Sequence, residues 1–295
     1  MKPICDIIIL TWNRADLIRS CVDSFLHCTD IPCRLIIVDN GSIDDTGVYL
    51  ASLRDNEKCR FKVIRNTENN GFVEGTNQGM AIADAEYVCL ANNDLIFTKG
   101  WLDEMIAVFQ RDRRIGLLNP NSNNLGIHVP NNCDMETFAD ELKKAQKNTF
   151  IEMPFCIGFC MVMRRSVIDQ VGLLSQEFAP AFFEDSDFSL RVKKAGHLIG
   201  MANRAYVWHK EHASFDLIGE RRKDQIFTNS RNIFEKKWGK VLRLAWVANS
   251  RMDAGAYLEE ILSYARRGNF IHILTQEDQA DHETIFSDMG RTPHS

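Results

Sequence analysis

The sequence predicts an α/β fold in which a mainly parallel central sheet is flanked by helices, followed by a helical C-terminal extension. Four short apolar runs, at 6–10, 34–38, 61–64 and 87–90, are separated by stretches long enough for a crossover helix. A polar cluster follows each of these runs. Such alternation is typical of a doubly wound, nucleotide-binding sheet, whose ligand crevice lies at the carboxyl ends of the strands.

Each element of the first half has its own pattern. Apolar side chains recur at helical spacing after the first strand: Leu17, Ile18, Cys21, Val22 and Phe25. Asn13 is predicted to be the N-cap of this helix. Further helices are predicted at 46–53 and 75–83. Because parallel strands carry helices on both faces, all four strands are predicted to be buried.

The second half has a mixed pattern. It predicts helices at 101–110 and 165–171, strands at 115–118 and 159–163, a strand pair at 198–201 and 205–208, and a long loop at 119–132. Long loops in compact domains are often lids or specificity elements. We therefore expect one domain over 1–243, with a nucleotide-binding half at 1–94 and a catalytic half at 95–243, and a helical extension over 244–295 that includes a helical patch at 257–265.

Charge and cysteine content limit the partners and the compartment. With 35 Lys and Arg against 40 Asp and Glu, the net charge is −5, which favours no nucleic-acid partner. A phosphorylated ligand would then need a local device such as a divalent metal. The nine cysteines lie mostly in apolar runs and predict reduced thiols. No secretory signal or 20-residue apolar span is evident, so we expect a cytoplasmic protein, or one peripheral at the inner face of the membrane.

Three clusters could carry chemistry. The run Asn92, Asn93, Asp94 follows a predicted strand, where a carboxylate can hold Mg²⁺ or Mn²⁺, although turns also favour Asp. A helix start at 184–187 carries three acids behind two phenylalanines, where N-capping would account for one acid more readily than for three. His209 ends a late strand beside Trp208 and could complete a metal site.

These clusters belong to a larger set of motifs over residues 4–240. The set comprises IILTWNR at 8–14, IIVDNGS at 36–42, NNGF at 69–72 with Gly75, Asn77 and Gly79, NND at 92–94, EDSD at 184–187, His209, and NIFEKKWG at 232–239. In this order the chain resembles the family 2 glycosyltransferases of the Rossmann-like GT-A fold, especially the group that resembles rhamnosyl- and galactofuranosyl-transferases.

The resemblance implies a role for each matching residue. Thr11 and Asp39 would contact the nucleotide, and other donor-site residues would be Asn13, Arg14, Asn40, Asn70, Gly71, Asn77, Asn92 and Asn93. Asp94 and His209 would bind Mn²⁺ or Mg²⁺, and Asp185 would be the catalytic base. The acceptor or supporting residues would be Glu184, Asp187, Trp208 and His212. The chain departs from the commoner Asp-x-Asp motif, because Asn92 leaves Asp94 as the single carboxylate.

The resemblance thus implies an inverting transfer of a sugar from a nucleotide-diphosphate donor to a hydroxyl of a glycan, a lipid-linked or a protein acceptor. A UDP-sugar is the first expectation and dTDP-rhamnose the next. The rival interpretation is a non-catalytic protein that binds a nucleotide-sugar or carbohydrate. A dinucleotide-binding oxidoreductase is disfavoured, since 11–14 lacks the glycine-rich turn. The extension offers a surface for a homodimer.

Overall fold

The computed structural model describes residues 2–147, 149–210, 219–248, 257–266 and 269–275. Among them, one sheet is formed by β1 (Cys5–Thr11), β2 (Cys33–Asp39), β3 (Cys59–Arg65), β4 (Tyr87–Ala91), β5 (Leu95–Phe97), β6 (Ile115–Asn121), β7 (Phe150–Glu152), β8 (Cys160–Arg164) and β9 (Leu198–His209). The helices around it are α1 (Ala15–Cys28), α2 (Thr46–Ser52), α3 (Gly71–Ile82), α4 (Trp101–Arg111), α5 (Met135–Ala145), α6 (Arg165–Val171), α7 (Glu184–Lys194) and α8 (Glu220–Trp238).

The sheet follows the order β3-β2-β1-β4-β8-β6-β9-β5, and β7 pairs with β9. The first four strands are mutually parallel, and β8 runs antiparallel to both β4 and β6. Thr11 lies opposite Asp39, and Ile9 lies opposite Ala91. The carboxyl ends of β1, β2 and β4 therefore meet at one edge, where the sequence predicts the ligand crevice.

Two apolar layers cover the faces of the sheet. Ile7 and Ile9 face the layer that contains Phe25, whereas the intervening Ile8 faces the layer that contains Met80. This alternation follows from the two-residue period of a strand. All five side chains are buried, and burying one of this size stabilises a fold by about 1.5–3 kcal/mol. The sheet is thus a fixed platform for the loops at its edge.

A buried ion pair joins β1 to β2 at the opposite edge. Asp6 accepts hydrogen bonds of 2.8 Å from Nε and from Nη2 of Arg34. Its Oδ2 also accepts from the backbone N–H groups of Asp84 (2.7 Å) and Ala85 (2.9 Å). The Asp6 carboxylate is fully buried, so these four donors replace its hydration.

The prediction that all four parallel strands are buried is wrong for β3. Cys59 is buried in β3, but Arg60, Lys62 and Val63 are exposed. Strand β3 lies at the end of the sheet order, so one of its sides has no neighbouring strand among the described residues. A short apolar run does not reveal whether a strand is central or at an edge.

Two further local predictions are corrected by the structure. The strand pair predicted at 198–201 and 205–208 is one strand, β9, whose pairing with β6 shifts register near Pro120. Asn13 is not the N-cap of α1, because Arg14 occupies that position without a side-chain cap hydrogen bond. The irregular register explains why β9 reads as two runs in the sequence.

The extension is not helical alone. Its described residues form β10 (Arg243–Ala248), α9 (Leu258–Arg266) and β11 (Phe270–Thr275). The two strands pair in parallel, with Arg243 opposite Phe270. Helix α9 confirms the helical patch predicted at 257–265, whereas the expected boundary between 243 and 244 falls inside β10. Among the described residues, no helix is long and apolar enough to cross a membrane.

Candidate active site

A buried carboxylate, Asp39, lies where β1 and β2 end. Asp39 Oδ1 accepts a hydrogen bond from the Ser42 backbone N–H at 2.9 Å, and Oδ2 lies 3.2 Å from Nε of Arg65. Oδ2 is buried and accepts no hydrogen bond from the described residues. Beside it, Asn93 donates a 3.0 Å bond from Nδ2 to Oγ1 of Thr11. The Asp39 carboxylate is thus held in place with one oxygen available to an N–H of a ligand.

The turn after β1 is joined to the loop after β2 by hydrogen bonds. Asn13 and Arg14 have left-handed φ angles of 55° and 61°. The Asn13 N–H donates to Ser42 Oγ at 2.7 Å, and Asn13 Oδ1 accepts from the N–H of Ile43 at 3.0 Å. Arg14 pairs with Asp16 at the surface. Backbone in this region carries strain that persists where contacts over-determine it, as it often does at binding sites.

A network of asparagines ties the end of β2 to the start of α3. Asn40 donates from Nδ2 to Oδ1 of Asn69 (2.9 Å) and to the carbonyl of Gly71 (3.0 Å). Its Oδ1 accepts from Nδ2 of Asn66 (2.9 Å) and from the N–H of Asn70 (3.2 Å). These bonds use the hydrogen-bonding groups of Asn40 and fix the shape of this edge, and a direct contact between Asn40 and the donor stays a prediction.

Gly71 and Asn77 also shape the site through the backbone. Gly71 has a φ of +85°, and a Cβ there would lie 2.7 Å from Cβ of Pro180. Glycine is therefore required where α3 begins. Asn77 exchanges two hydrogen bonds with the backbone of Leu174, at 2.9 Å and 3.0 Å. These bonds link α3 to the loop after α6, and the expected role of Asn77 in the nucleotide pocket stays a prediction.

Asp94 and His209 meet where β4 and β9 end. Asp94 Oδ1 lies 3.1 Å from Nε2 of His209, and the Asn92 amide nitrogen lies 3.3 Å from the same Nε2. Both side chains of the pair are almost fully buried, and Asp94 Oδ1 lacks a hydrogen-bond partner among the described residues. The Phe159 ring stacks on the imidazole, with centroids 5.4 Å apart and planes at 18°. The pair presents one oxygen and one nitrogen in a fixed relation.

This pair fits a divalent metal. Adjacent ligands of an octahedral ion with bonds of about 2.1 Å lie about 3.0 Å apart, close to the observed Oδ1 to Nε2 distance of 3.1 Å. The described residues contain no group of three or more His, Cys, Asp or Glu side chains that could hold a metal. Asp94 and His209 alone would therefore need substrate oxygens or water to complete the shell, as Mg²⁺ sites with one or two carboxylates do.

A pair of acids begins α7. Asp185 Oδ2 accepts from the Gly158 N–H at 2.8 Å, and Oδ1 accepts from the N–H and the hydroxyl of Ser186 at 2.6 and 3.2 Å. Burial raises the pKa of Asp185 above its ordinary range. Burial, followed by the charge of Asp185, raises the pKa of Glu184 to about 8. The pair therefore holds a proton on Glu184 at neutral pH and the base strength of Asp185 is increased.

One cavity connects the acids to His209, one of the two candidate metal ligands. It has a volume of about 320 Å³ and is lined by Glu184, Asp185, Asn92 and His209. Its other side chains are largely aromatic: Phe72, Phe159, Phe182, Phe183 and Phe227. An apolar wall with a few convergent polar groups is typical of a small-molecule site.

Two of the expected supporting residues, Asp187 and Trp208, do not line this cavity. Asp187 is fully buried and binds Nε of Arg191 at 2.8 Å and Nε1 of Trp238 at 2.9 Å, which is a structural role. Trp208 packs against the cluster that contains Tyr206, because successive side chains of β9 alternate between faces. His212 lies outside the described residues.

Some residues of the site were not found from the sequence. Asp39 is contacted by the backbone N–H of Ser42 and by the side chain of Arg65, which is more than twenty positions away in the sequence. Asp185 is contacted by the backbone N–H of Gly158, which is also more than twenty positions away. Asn123 and Asn124 contact His209. Their place in the predicted long loop at 119–132 was the one feature of the sequence that pointed to a functional role for them.

Comparison with known proteins decides the family. The family model for glycosyl transferase family 2 matches residues 6–172, which is more than half of the chain. The chain belongs to glycosyl transferase family 2. The expected family and its GT-A fold are thereby confirmed.

Curated relatives of this family 2 glycosyltransferase include O-antigen chain rhamnosyltransferases. WbaN of Salmonella anatum is 30% identical over 200 residues, which cover 64% of this chain and 60% of WbaN. RfbN of Salmonella typhimurium is 25% identical over 220 residues, 70% of this chain and 66% of RfbN. An uncharacterized Sinorhizobium fredii protein, y4gI, is 26% identical over 80% of this chain but only 28% of its own length. The chain therefore spans less than two thirds of these relatives.

Solved structures share the fold at low identity. The mannosyltransferase PcManGT from Pyrobaculum calidifontis, in complex with GDP-Man and Mn²⁺, has a TM-score of 0.59 at 17% identity, over 90% of this chain and 72% of PcManGT. TarS 1-349 of S. aureus, in complex with UDP-GlcNAc, has a TM-score of 0.52 at 19% identity, over 79% of this chain and 72% of that one. These likenesses show the same fold.

Proposed function

We propose that this glycosyltransferase is an inverting, metal-dependent enzyme that transfers a sugar from a nucleotide-diphosphate donor to a hydroxyl of a cell-surface glycan. One observation carries the proposal: Asp185, with a raised pKa, lines a cavity of about 320 Å³ together with His209, whose Nε2 lies 3.1 Å from Asp94. A base and a group that can face a diphosphate are the two elements that a single displacement requires.

Asp185 is the catalytic base of the proposed reaction. The N–H groups of Gly158 and Ser186 orient its carboxylate, so that an acceptor hydroxyl in the cavity can give up its proton as the oxygen attacks the anomeric carbon. The carbon–oxygen bond to the diphosphate breaks as the new glycosidic bond forms. Attack from the face opposite to the leaving group inverts the anomeric centre.

Asp94 and His209 are the proposed metal ligands. A bound Mn²⁺ or Mg²⁺ would neutralise charge that develops on the diphosphate as it leaves. Asp94 Oδ1 is buried, accepts no hydrogen bond from the described residues and lies 3.1 Å from Nε2, and these observations support the assignment. Two relatives in fold, PcManGT and GalNAc-T7, are named as complexes with Mn²⁺.

The donor is proposed to be a UDP-sugar, with dTDP-rhamnose next. Oδ2 of Asp39 pairs with Arg65 at 3.2 Å but accepts no hydrogen bond from the described residues, so it can accept one from the N3–H that uracil and thymine share. Thr11, Asn93 and Asn70 lie at the same edge of the sheet and complete the proposed nucleotide site. The names of WbaN and RfbN support rhamnose and an O-antigen type of polysaccharide.

Nucleotide binding and turnover together test the proposal. We expect UDP or dTDP to raise the midpoint of thermal unfolding more with Mn²⁺ than without it, because ligands stabilise the native state by mass action. Release of the nucleoside diphosphate from UDP-sugars and dTDP-rhamnose, with water or simple glycosides as acceptors, is then measured for wild type and for Asp185→Asn. The exposed Asp140→Asn on α5 is the matched control.

Asp185→Asn should keep the thermal shift and lose turnover by roughly 10²–10⁴-fold, the usual contribution of a general base. Asp140→Asn should retain both. Turnover near the wild-type rate in Asp185→Asn refutes the assignment of the base. Binding without turnover by the wild-type protein on every donor favours the non-catalytic alternative.

A further inference from the structure

An asparagine from the loop after β6 forms two hydrogen bonds with the backbone at the end of β9. Asn123 lies in a 3₁₀ turn, Asn123–Leu125, that follows β6. Its Nδ2 donates to the carbonyl of His209 at 2.8 Å, and its Oδ1 accepts from the N–H of His209 at 2.8 Å. Both backbone groups of one residue are thus bound by one side chain. Such a two-point contact fixes the position of the His209 backbone more strictly than a single hydrogen bond does.

The neighbouring asparagine contacts the imidazole itself. Nδ2 of Asn124 lies 3.0 Å from Nδ1 of His209, the ring nitrogen that faces away from Asp94. Oδ1 of Asn124 is buried and has no hydrogen-bond partner among the described residues. A buried amide oxygen without a partner costs free energy, so its position next to a histidine ring requires an explanation.

The chemistry of a histidine ligand supplies that explanation. A neutral imidazole that presents the lone pair of Nε2 to a metal carries its proton on Nδ1, and this N–H needs an acceptor. An amide has nearly the same shape after a half-turn that exchanges its oxygen and nitrogen. The half-turn would place Oδ1 of Asn124 against Nδ1–H of His209, and the amide nitrogen would then take the buried position that Oδ1 now occupies.

We propose that Asn123 and Asn124 are positioning residues for His209: Asn123 fixes its backbone, and Asn124 selects the tautomer that leaves Nε2 free for a divalent cation. The inference rests on the proposed function, in which His209 is a metal ligand. It also gives the long loop a role, because the loop then supplies the outer contacts of the site. Partners of this kind typically change metal affinity by about 10–100-fold.

The affinity for Mn²⁺ in the presence of UDP tests the inference without use of turnover. Free Mn²⁺ is measured by electron paramagnetic resonance for the full chain and its variants. Asn124→Ala should weaken Mn²⁺ binding by about 10–100-fold. Asn124→Asp, which offers an acceptor in either orientation, should bind Mn²⁺ at least as tightly as wild type. Asn131→Ala, an exposed position of the same loop, is the matched control and should leave affinity unchanged.

The outcomes separate this inference from the proposed function. If wild type binds no Mn²⁺ with UDP or dTDP, the metal site itself is refuted. If wild type binds Mn²⁺ and His209→Ala does not, but Asn124→Ala matches wild type, the metal site stands and the role of Asn124 is refuted. Should Asn124→Ala fail to fold, Asn124→Asp decides, since a tenfold loss of affinity in that variant overturns the proposal.

Discussion

Replacement of Glu184 by Gln should change how the stability of the protein depends on pH. The Glu184 side chain is 7% exposed, and its Oε2 has no hydrogen-bond partner among the described residues. Burial, together with the charge of Asp185, raises its pKa from 4.5 to about 8. Gln has nearly the same shape and is always neutral. The variant therefore removes the titration while keeping the packing.

The sign and size of the effect follow from proton linkage. Between pH 4.5 and about 8 the folded protein holds a proton on Glu184 that the unfolded chain releases, so stability falls as the pH rises through this window. The contribution of the Glu184 proton to the free energy of unfolding is complete below pH 4.5 and is lost as the pH rises through the pKa of Glu184 in the folded protein. A shift of this size is worth up to about 5 kcal/mol at about 1.4 kcal/mol per pH unit, and relaxation near Asp185 reduces it.

Urea unfolding at pH 5 and at pH 9 measures the difference. Wild type should lose at least about 2 kcal/mol relative to Glu184→Gln between the two pH values. Glu57→Gln, an exposed substitution before β3, is the control and should follow wild type. If wild type and Glu184→Gln lose stability in parallel, Glu184 is not held neutral, and the reasoning about the acid pair is wrong.

Two substitutions test contacts that hold the site from a distance. Asp6→Asn should destabilise the fold by roughly 1–3 kcal/mol in chemical unfolding, because the amide keeps one acceptor oxygen for four donors, while Arg34 stays partly exposed and paired with Asp84. No measurable loss would refute the importance of these hydrogen bonds. Asn77→Ala should cost about 1–3 kcal/mol through the unpaired Leu174 backbone, with little change in the Kd for UDP of the folded fraction. A selective loss of UDP affinity with unchanged stability would instead support the ligand role expected for Asn77.

Much of the fold could be predicted because its signals are local. Apolar runs separated by helical spacing predict β1, β2 and β4 as parallel strands, and the structure confirms them. The meeting of Thr11 with Asp39 follows from the same rule, since parallel strands bring their carboxyl ends to one edge. The candidate site residues of the second half were identified from the family resemblance, because the periodicity of the sequence does not show which residues meet in the site.

The outer contacts of the site could not be predicted because they join distant parts of the chain. Gly158 binds Asp185 across 27 positions and Asn124 binds His209 across 85. Neither contact leaves a periodic pattern, and the Gly158 contact uses a backbone group that every residue except proline possesses. The edge position of β3 was missed for a related reason, since strand order is a property of the whole sheet.

The restraints on the acids near the cavity explain how a chain of net charge −5 could bind the proposed diphosphate donor. The acids nearest the cavity are each restrained: Glu184 holds a proton, Asp185 is bound by two N–H groups, and Asp94 faces His209. Asp94 Oδ1 is buried beside Nε2 of His209 and accepts no hydrogen bond from the described residues. A cation bound there would make the local charge positive at the place that the phosphate oxygens of the proposed donor must approach. The metal would then be needed both to bind the donor and to release its diphosphate. UDP affinity should therefore fall when Mn²⁺ is withheld, even in the Asp185→Asn variant that cannot turn over.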